Sequence, residues 1–346
     1  MKAMQLTGIR QMGMFDVLDP TITNDHDVLI KMAAVGVCGS DIHYYISGRI
    51  GSQVVQYPFT VGHEGAGHVV AVGSEVTRVK PGDRIAIEPA MPCWDCDQCK
   101  VGRHHTCRNL RFLGCPQQAE GCLSEYIVMP ETSCFKISDT ISMVQAALSE
   151  PLAIGVYGVK LSIPMQQAKV GVLGAGPIGF SVFMPALSMG ARAVYVTDKI
   201  DARLELAQKV GASWVGNPDK ADIVSNILAA ELQGLDVVFD CCGDQEALDQ
   251  ALELLKPGGK LMIIGIPKFD RFSFPVDTLR RKEICIQNVR RQCDCVELAL
   301  GMIENKDFDI NFMATHHFKF DQTQEAFDLV ADYRDGVLKA IIEFDD

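Results

Sequence analysis

The sequence lacks three features that would point away from a soluble enzyme. It has no excess of positive charge: 32 lysines and arginines against 44 acidic residues give a net charge of -12, so we expect neither nucleic acid nor an anionic membrane as a partner. It contains no internal repeat and no low-complexity segment. Its first eight residues include no apolar run suited to a signal peptide, so we expect a cytoplasmic protein.

One uncharged stretch, from Val170 to Ala191, is long enough to suggest a membrane span. Glycines are concentrated in its first half, and Pro177 and Pro185 interrupt it. This composition instead predicts a buried strand followed by a buried helix, kinked if it continues through Pro185.

The length of 346 residues predicts two domains. Thirteen cysteines without a secretory signal indicate metal and thiol chemistry, not disulfides. Four of them are closely spaced in the segment 93–107, which we call the four-cysteine lobe: Cys93, Cys96, Cys99 and Cys107. Four thiolates at this spacing predict a closed, structural zinc site, and the alternative is a reduced surface cluster.

A second group of donors lies on two glycine-rich stretches, G-V-C-G-S-D-I-H at 36–43 and G-H-E-G at 62–65. Thiolate, imidazole and carboxylate are donors that zinc prefers, so Cys38, His63 and Glu64 are candidate ligands of a catalytic zinc. Ser40 and His43 lie beside them and are candidates to move a proton. The alternative is a buried cysteine with two ordinary loop histidines.

From Lys169 onward, strands and helices alternate, which predicts a doubly wound parallel sheet. The first strand runs into G-A-G-P-I-G, a dinucleotide-binding turn. Its candidate cofactor-binding residues are Gly174, Gly176, Pro177, Ile178 and Gly179. Asp198 ends the next strand, where a carboxylate binds the ribose hydroxyls and repels a 2′-phosphate, so we predict NAD as cofactor. Lys199 and Arg203 would weaken that preference; the alternative is a Rossmann-like domain that binds no cofactor.

Two further segments carry less information in their pattern. Glu150 stands before Pro151, which predicts a boundary between a helix and a loop. Arg290 and Arg291 follow the last expected strand of the sheet and are equally consistent with a ligand role and with a solvated pair.

Taken together, these motifs resemble the zinc-dependent medium-chain dehydrogenases/reductases, and within them the sorbitol (L-iditol) and xylitol dehydrogenases. The resemblance also rests on G-R-I-G at 48–51 and S-E-P-L-A at 149–153, and it covers essentially the whole chain. It implies an α/β fold with a GroES-like β-rich catalytic domain, residues 1–153 and 286–346, and a Rossmann NAD-binding domain, residues 154–285.

The resemblance further implies roles for single residues. Glu150 would lie at the catalytic zinc, directly or through water, and Tyr44, Phe112 and Arg290 would contact the substrate. Polyol dehydrogenases commonly carry an aromatic residue where this chain has Arg291, which leaves room for an acidic or phosphorylated sugar alcohol. Relatives are commonly tetramers, so we expect a homo-oligomer, either a tetramer or a dimer.

The resulting hypothesis is oxidation of a secondary hydroxyl of a sugar alcohol to the ketose, with two zinc ions and NAD per chain. Ser40 and His43 would carry the alcohol proton to solvent. The alternatives are a 2,3-butanediol or L-threonine dehydrogenase, and, in another class, a non-catalytic NAD- or zinc-binding protein.

Overall fold

The computed structural model describes residues 1–267 and 269–345. The chain forms two compact units. The first unit contains Met1–Glu150 and Val296–Asp346, and the second contains Pro151–Cys295.

The strands and helices follow one another along the whole chain. The strands are β1 Lys2–Gly8, β2 Gln11–Asp16, β3 Asp27–Gly36, β4 Arg49–Ile50, β5 Gln53–Val54, β6 Phe59–Thr60, β7 Glu64–Val72, β8 Arg84–Ile87, β9 Ala90–Met91, β10 Arg111–Phe112, β11 Tyr126–Pro130, β12 Cys134–Lys136, β13 Lys169–Leu173, β14 Ala193–Thr197, β15 Trp214–Gly216, β16 Leu235–Asp240, β17 Leu255–Ile263, β18 Cys285–Asn288, β19 Ala314–Lys319 and β20 Lys339–Glu343. The α-helices are α1 Gly39–Ser47, α2 Asp97–Lys100, α3 Met143–Ser162, α4 Pro177–Ser188, α5 Asp201–Val210, α6 Ile223–Ala230, α7 Gln245–Leu254, α8 Val276–Lys282, α9 Val296–Glu304 and α10 Thr323–Ala331. Short 3-10 turns lie at His104–Thr106, Glu131–Ser133, Asn311–Met313, Phe320–Gln322 and Arg334–Gly336.

The first unit is built on a seven-stranded sheet in the order β12-β8-β7-β3-β20-β19, with β11 also paired to β3. Strand β3 lies in the middle of this sheet. Its side chains alternate between buried and half-buried positions, as a strand packed on one face requires. Val28, Ile30 and Met32 lie in a core shared with Phe59 and Phe327. The expectation of a β-rich first third is confirmed.

Strand β3 is flanked by β7 and β20, and this arrangement brings distant parts of the sequence together. Gly36 at the end of β3 pairs with Glu64 at the start of β7. On the other side it pairs with Ile341 of β20, two residues from Lys339. Donors from three separate segments therefore meet at one end of the sheet.

The second unit is a six-stranded parallel sheet in the order β15-β14-β13-β16-β17-β18. Its central strands are mostly apolar, and all five residues of β14 are buried, as expected of strands covered on both faces. From β13 the chain adds strands toward one edge of the sheet, and from β16 it adds them toward the other edge. Doubly wound folds bind dinucleotides at this point between β13 and β16. The predicted α/β architecture is confirmed.

The prediction of a boundary at Glu150 is wrong. Helix α3 continues from Met143 to Ser162 through Pro151. A proline inside a helix removes the hydrogen bond to the carbonyl four residues earlier, that of Ala147. Leu152 and Val156, both fully buried, give the continued helix apolar contacts that offset this cost.

Two glycine-containing segments shape the strands. In β17 the pairing with β16 shifts between Leu235 and Val237, so that the Pro257-Gly258-Gly259 segment bulges out of register. Glu64 opens β7, and Gly62, with φ of 97°, provides the change of direction just before it.

The uncharged stretch from 170 to 191 forms β13 and the largely buried α4, as predicted, and α4 runs through Pro185. Within the described residues, none of the helices combines the length and the apolarity needed to cross a bilayer.

Candidate active site and metal centres

The four-cysteine lobe brings its thiols together on one loop around the short helix α2. The Sγ atoms lie 3.4 Å apart for Cys93 and Cys107, 3.6 Å for Cys96 and Cys99, and 3.8 Å for Cys96 and Cys107. A zinc ion with bonds of about 2.3 Å to four tetrahedral sulfurs separates those sulfurs by about 3.8 Å. The lobe therefore fits a closed tetrahedral site without rearrangement.

The thiols of this lobe differ in acidity because their surroundings differ. Backbone hydrogen bonds from Asp95 and Cys96 lower the pKa of Cys93 to about 6. Burial, together with a smaller effect of the neighbouring thiols, raises the pKa of Cys99 to about 12. A cation bound to all four sulfurs replaces these individual values with a shared coordination shell.

The second cluster consists of Cys38, His63 and Glu64, whose donor atoms all lie within 4.8 Å of one another. Cys38 follows β3 and is the N-cap of α1, while His63 and Glu64 stand at the entry to β7. His63 and Glu64 are buried, whereas Cys38 is half-buried. Three donors with one accessible side match a catalytic zinc site, which keeps one position open.

Asp41 orients the imidazole of this cluster, and the sequence analysis missed it. Its carboxylate is fully buried and lies 3.4 Å from His63 Nδ1, which leaves the other ring nitrogen for a metal. It also accepts hydrogen bonds from the backbone N–H groups of Cys38 and Gly62, each at 3.2 Å. Burial would lower the pKa of His63, but the Asp41 carboxylate and the Cys38 thiolate raise it well above its ordinary value.

Glu64 is held by a second residue that the sequence analysis missed, Lys339. The Lys339 Nζ atom lies 2.7 Å from Glu64 Oε1 and 2.6 Å from Oε2. The Glu64 carboxylate also occupies space that a side chain at position 36 would need, because a Cβ on Gly36 would lie only 2.2 Å from Oε2.

Glu150 is buried in the same unit, and its Oε2 atom has no hydrogen-bond partner. Burial raises the pKa of Glu150 to about 8; His63 acts in the opposite direction, and Glu64 and Glu88 add to the increase. An unsatisfied buried carboxylate oxygen is costly unless a cation or proton donor serves it. Glu150 is not among the three residues whose donor atoms lie within 4.8 Å of one another, so its predicted place at the metal stays a prediction.

The two candidate proton carriers lie on the first turns of α1. The Ser40 hydroxyl donates to Cys38 Sγ at 3.3 Å, so it sits beside the donor cluster. His43 is half-buried and stands three residues further along α1, on the same face as Ser40.

Two candidate substrate residues lie in the same unit as this cluster, and one of them, Phe112, lies beside it. The Phe112 ring lies 5.4 Å from the His63 ring, centroid to centroid. The Tyr44 hydroxyl donates to Gln53 Oε1 at 3.2 Å and lies 3.7 Å from Cys115 Sγ, while Gln53 Nε2 donates to that sulfur at 2.8 Å. Gln53 and Cys115 were not predicted, because neither belongs to a recognisable motif.

The remaining candidate, Arg290, lies in the second unit. It is exposed and follows β18, as does the half-buried Arg291, whose φ is 54°. Its predicted contact with the substrate stays a prediction.

The dinucleotide-binding turn of the second unit joins β13 to α4. Gly174 has φ of 99°, and a Cβ on Gly179 would lie 1.9 Å from the Gly174 carbonyl oxygen, so the turn requires glycine at both positions. Gly176 is the N-cap of α4, with Pro177 and Ile178 in its first turn, and the positive end of the helix dipole lies there.

Asp198 follows β14 and is fixed by its neighbours. Its Oδ2 accepts from the N–H of Ala175 at 2.7 Å, and its Oδ1 accepts from the N–H of Ile200 at 2.8 Å. Arg203 Nη1 lies 4.0 Å from Oδ2. The acidic residue is thus tied to the turn that would bind the pyrophosphate.

One signal in the sequence would have revealed Lys339. The segment K-A-I-I-E is a buried strand that begins with a charged residue, and such a residue requires a partner. Asp41 had a weaker signal, as the third residue of a helix whose N-cap is Cys38.

Comparisons with known proteins agree with this architecture. Residues 24–139 match the alcohol dehydrogenase GroES-like domain, and residues 177–305 match the zinc-binding dehydrogenase domain. The sorbitol dehydrogenase of Bacillus subtilis is 34% identical over 343 residues, covering 99% of this chain and 97% of that protein.

Solved structures are also similar along the whole chain. An Escherichia coli oxidoreductase/dehydrogenase of unknown specificity superposes with a TM-score of 0.94 at 31% identity, covering 100% of this chain and 99% of the other. A zinc-binding dehydrogenase from Sinorhizobium meliloti bound to NADP gives 0.90 at 29%, covering 99% and 98%. The 2R,3R-butanediol dehydrogenase of Bacillus subtilis gives 0.89 at 28%, covering 99% of each chain.

The matched domains, the fold and the two donor clusters lead to one assignment. The chain belongs to the zinc-binding dehydrogenases that carry an alcohol dehydrogenase GroES-like domain, and it is an oxidoreductase.

Proposed function

We propose that this protein oxidises a secondary hydroxyl of a sugar alcohol to the ketone, with NAD as hydride acceptor. The observation that carries the proposal is the cluster of Cys38, His63 and Glu64 with the unsatisfied carboxylate of Glu150 in the same unit. The sorbitol dehydrogenase relative, which matches along the full chain, supports a polyol as substrate.

Cys38, His63 and Glu64, with Glu150 directly or through water, would hold the catalytic zinc. When bound, zinc supplies Lewis acidity that lowers the pKa of a hydroxyl, and the nicotinamide ring accepts the hydride. The chain itself moves the proton. Ser40, next to Cys38 Sγ, takes the proton of the alcohol and gives up its own hydroxyl proton toward the half-buried His43, which releases a proton to solvent.

The contacts of Tyr44 support a hydroxyl-rich substrate. Its hydroxyl donates to Gln53 Oε1, and this pair of polar groups suits the hydroxyl groups of a polyol. Phe112, packed near His63, supplies an apolar wall against the carbon chain. An oxidation of 2,3-butanediol is the second candidate, because the butanediol dehydrogenase is also similar along the full chain.

For the cofactor, we propose NAD in preference to NADP. Asp198 is fixed by two backbone N–H groups, so its negative charge cannot easily turn away from a 2′-phosphate. The NADP-bound relative makes this the most direct point to test. Asp198→Ser should lower the ratio of kcat/KM for NAD to kcat/KM for NADP. The control is Asp219→Ser, which removes an exposed carboxylate near Lys199 and should leave that ratio unchanged.

The deciding experiment is a substrate panel. Sorbitol, xylitol, galactitol, 2,3-butanediol and threonine are each assayed with NAD and with NADP by the appearance of the reduced cofactor. A kcat/KM for one of the sugar alcohols at least about tenfold above that for the diol and for threonine is expected. A higher value for butanediol would select the second candidate, and no turnover of any substrate by the zinc-loaded protein would contradict both.

Arg291 is a reason to add charged sugar alcohols to the panel. If this side chain reaches the substrate, phosphorylated or acidic sugar alcohols should be oxidised with a lower KM than the neutral ones, and Arg291→Ala should remove that difference.

We also expect a cytoplasmic homo-oligomer, a dimer or a tetramer. Light scattering coupled to gel filtration would measure its mass.

A further inference from the structure

Lys339 is a fully buried lysine whose ammonium group has three partners in the first unit. It is 1% exposed and donates to Glu64 Oε1, to Glu64 Oε2 and, at 3.1 Å, to the carbonyl oxygen of Val37. An ammonium group has three donors, so all of them are used. Such complete pairing is what a buried charge needs, and it fixes the position of each partner.

The partners of Lys339 either belong to the metal-binding cluster or adjoin one of its members in the chain. Val37 directly precedes Cys38, and Glu64 directly follows His63. A carboxylate has about four lone-pair sites, so Glu64 can accept from Lys339 through both oxygens and still offer a lone pair to a cation. A Cβ on Gly36 would collide with Glu64 Oε2, so the backbone at Gly36 also lies close against the carboxylate.

Charge gives the contact a second consequence. The Glu64 carboxylate is buried, and the Lys339 Nζ atom lies within 2.7 Å of both of its oxygens. A buried carboxylate is costly unless an opposite charge and hydrogen-bond donors serve it. The lysine therefore supplies a positive charge directly beside a candidate metal ligand.

We propose that Lys339 is a positioning residue for the catalytic metal: it holds the Glu64 carboxylate in place within the donor cluster, and so sets the affinity and the coordination of the metal. The inference rests on the proposed catalytic zinc site but not on the identity of the substrate.

The test uses the full chain loaded with cobalt(II), whose visible absorption reports the coordination shell. Lys339→Met removes the charge and the donors, Lys339→Gln keeps a donor without the charge, and Lys339→Arg keeps both. Affinity for the catalytic metal, measured by competition with a chelator, should fall by about 10–100-fold in Lys339→Met, the range typical of lost outer-shell partners. The absorption bands of that site should shift, Lys339→Gln should be intermediate, and Lys339→Arg should restore both properties to within a few-fold.

Two controls separate positioning from a general loss of stability. Lys169→Met breaks another largely buried lysine–glutamate pair, with Glu231 in the second unit, and should leave the cobalt spectrum unchanged. The bands of the four-cysteine lobe give an internal reference for folding in every variant. In a Glu64→Gln background, Lys339→Met should add little further loss of affinity, because the group it positions is already altered.

An unchanged or tighter catalytic metal site in both Lys339→Met and Lys339→Gln would overturn the inference, as would full additivity with Glu64→Gln. Neither measurement requires a substrate, so a failure of the polyol panel would leave this result interpretable.

Discussion

The four-cysteine lobe and the Cys38 cluster belong to the same unit, yet their surroundings differ. The lobe takes all its donors from one loop, and the sulfurs already stand at distances that suit a tetrahedral ion. The Cys38 cluster takes its donors from the residues after β3 and from the entry to β7. The two residues that hold these donors in place, Asp41 and Lys339, come from α1 and β20.

This difference separates a site that holds a loop together from a site that performs chemistry. Four thiolates bound to one ion need no outer support, because they close the shell of the ion themselves. An imidazole and carboxylates with an open position must be oriented by groups outside the shell. The number of buried charged supports is therefore the better structural indicator of which metal is catalytic.

The strongest test of this contrast is His63→Ala. Loss of one of three donors should remove the catalytic metal and reduce kcat/KM by at least about 1,000-fold, because the electrostatic support of the reaction is lost. Metal analysis should show the loss of one equivalent, with the lobe still loaded. The control is His68→Ala, on the same strand β7 but outside the cluster. Retention of both metals in His63→Ala would contradict the assignment of the cluster.

A smaller effect is expected for Ser40→Ala, which leaves the donors in place. Removing the hydroxyl that contacts Cys38 Sγ should reduce kcat by about 100-fold, the lower end of general acid–base contributions, with metal content unchanged. Ser47→Ala, at the exposed end of the same helix, is the matched control. Full turnover in Ser40→Ala would remove the serine from the proton path.

Disruption of the four-cysteine lobe should affect stability more than catalysis. Cys99→Ser removes a buried donor, and we expect a melting temperature lower by on the order of 5–10 °C, from a loss of a few kcal/mol. The exposed Cys285→Ser provides a comparison without such a loss. If Cys99→Ser melts like the unmodified chain but loses its turnover, the roles of the two clusters have been exchanged.

The mildest test concerns thiol acidity within the lobe after chelation of its metal. With a pKa of about 6, Cys93 is a thiolate at pH 7, whereas Cys99, with a pKa of about 12, stays protonated. Iodoacetamide should thus modify Cys93 at least about tenfold faster than Cys99, as peptide mass spectrometry can measure. The rate at Cys93 should fall as the pH drops from 7 to 5, since protonation removes the nucleophile. Equal rates at the two cysteines would show that their surroundings do not differ in this way.

The same contrast explains how far the sequence alone could go. The lobe and the dinucleotide-binding turn are local patterns, whose function is encoded in the spacing of a few neighbouring residues. Helix α3 was mispredicted because a local rule for the residue before proline was overridden by burial of Leu152 and Val156. Lys339 was missed for a different reason: it lies 275 residues from Glu64, and only the pairing of β20 with β3 brings them together.

The position of β20 along the chain also has a consequence for biosynthesis. Cys107 completes the lobe before any residue of the second unit has been made, whereas Lys339 follows it by 232 residues. At about 5–20 residues per second, that interval is on the order of 10–50 s. The nascent chain can therefore acquire its first metal on the ribosome, while the second site gains its buried lysine only after the entire nucleotide-binding unit has emerged.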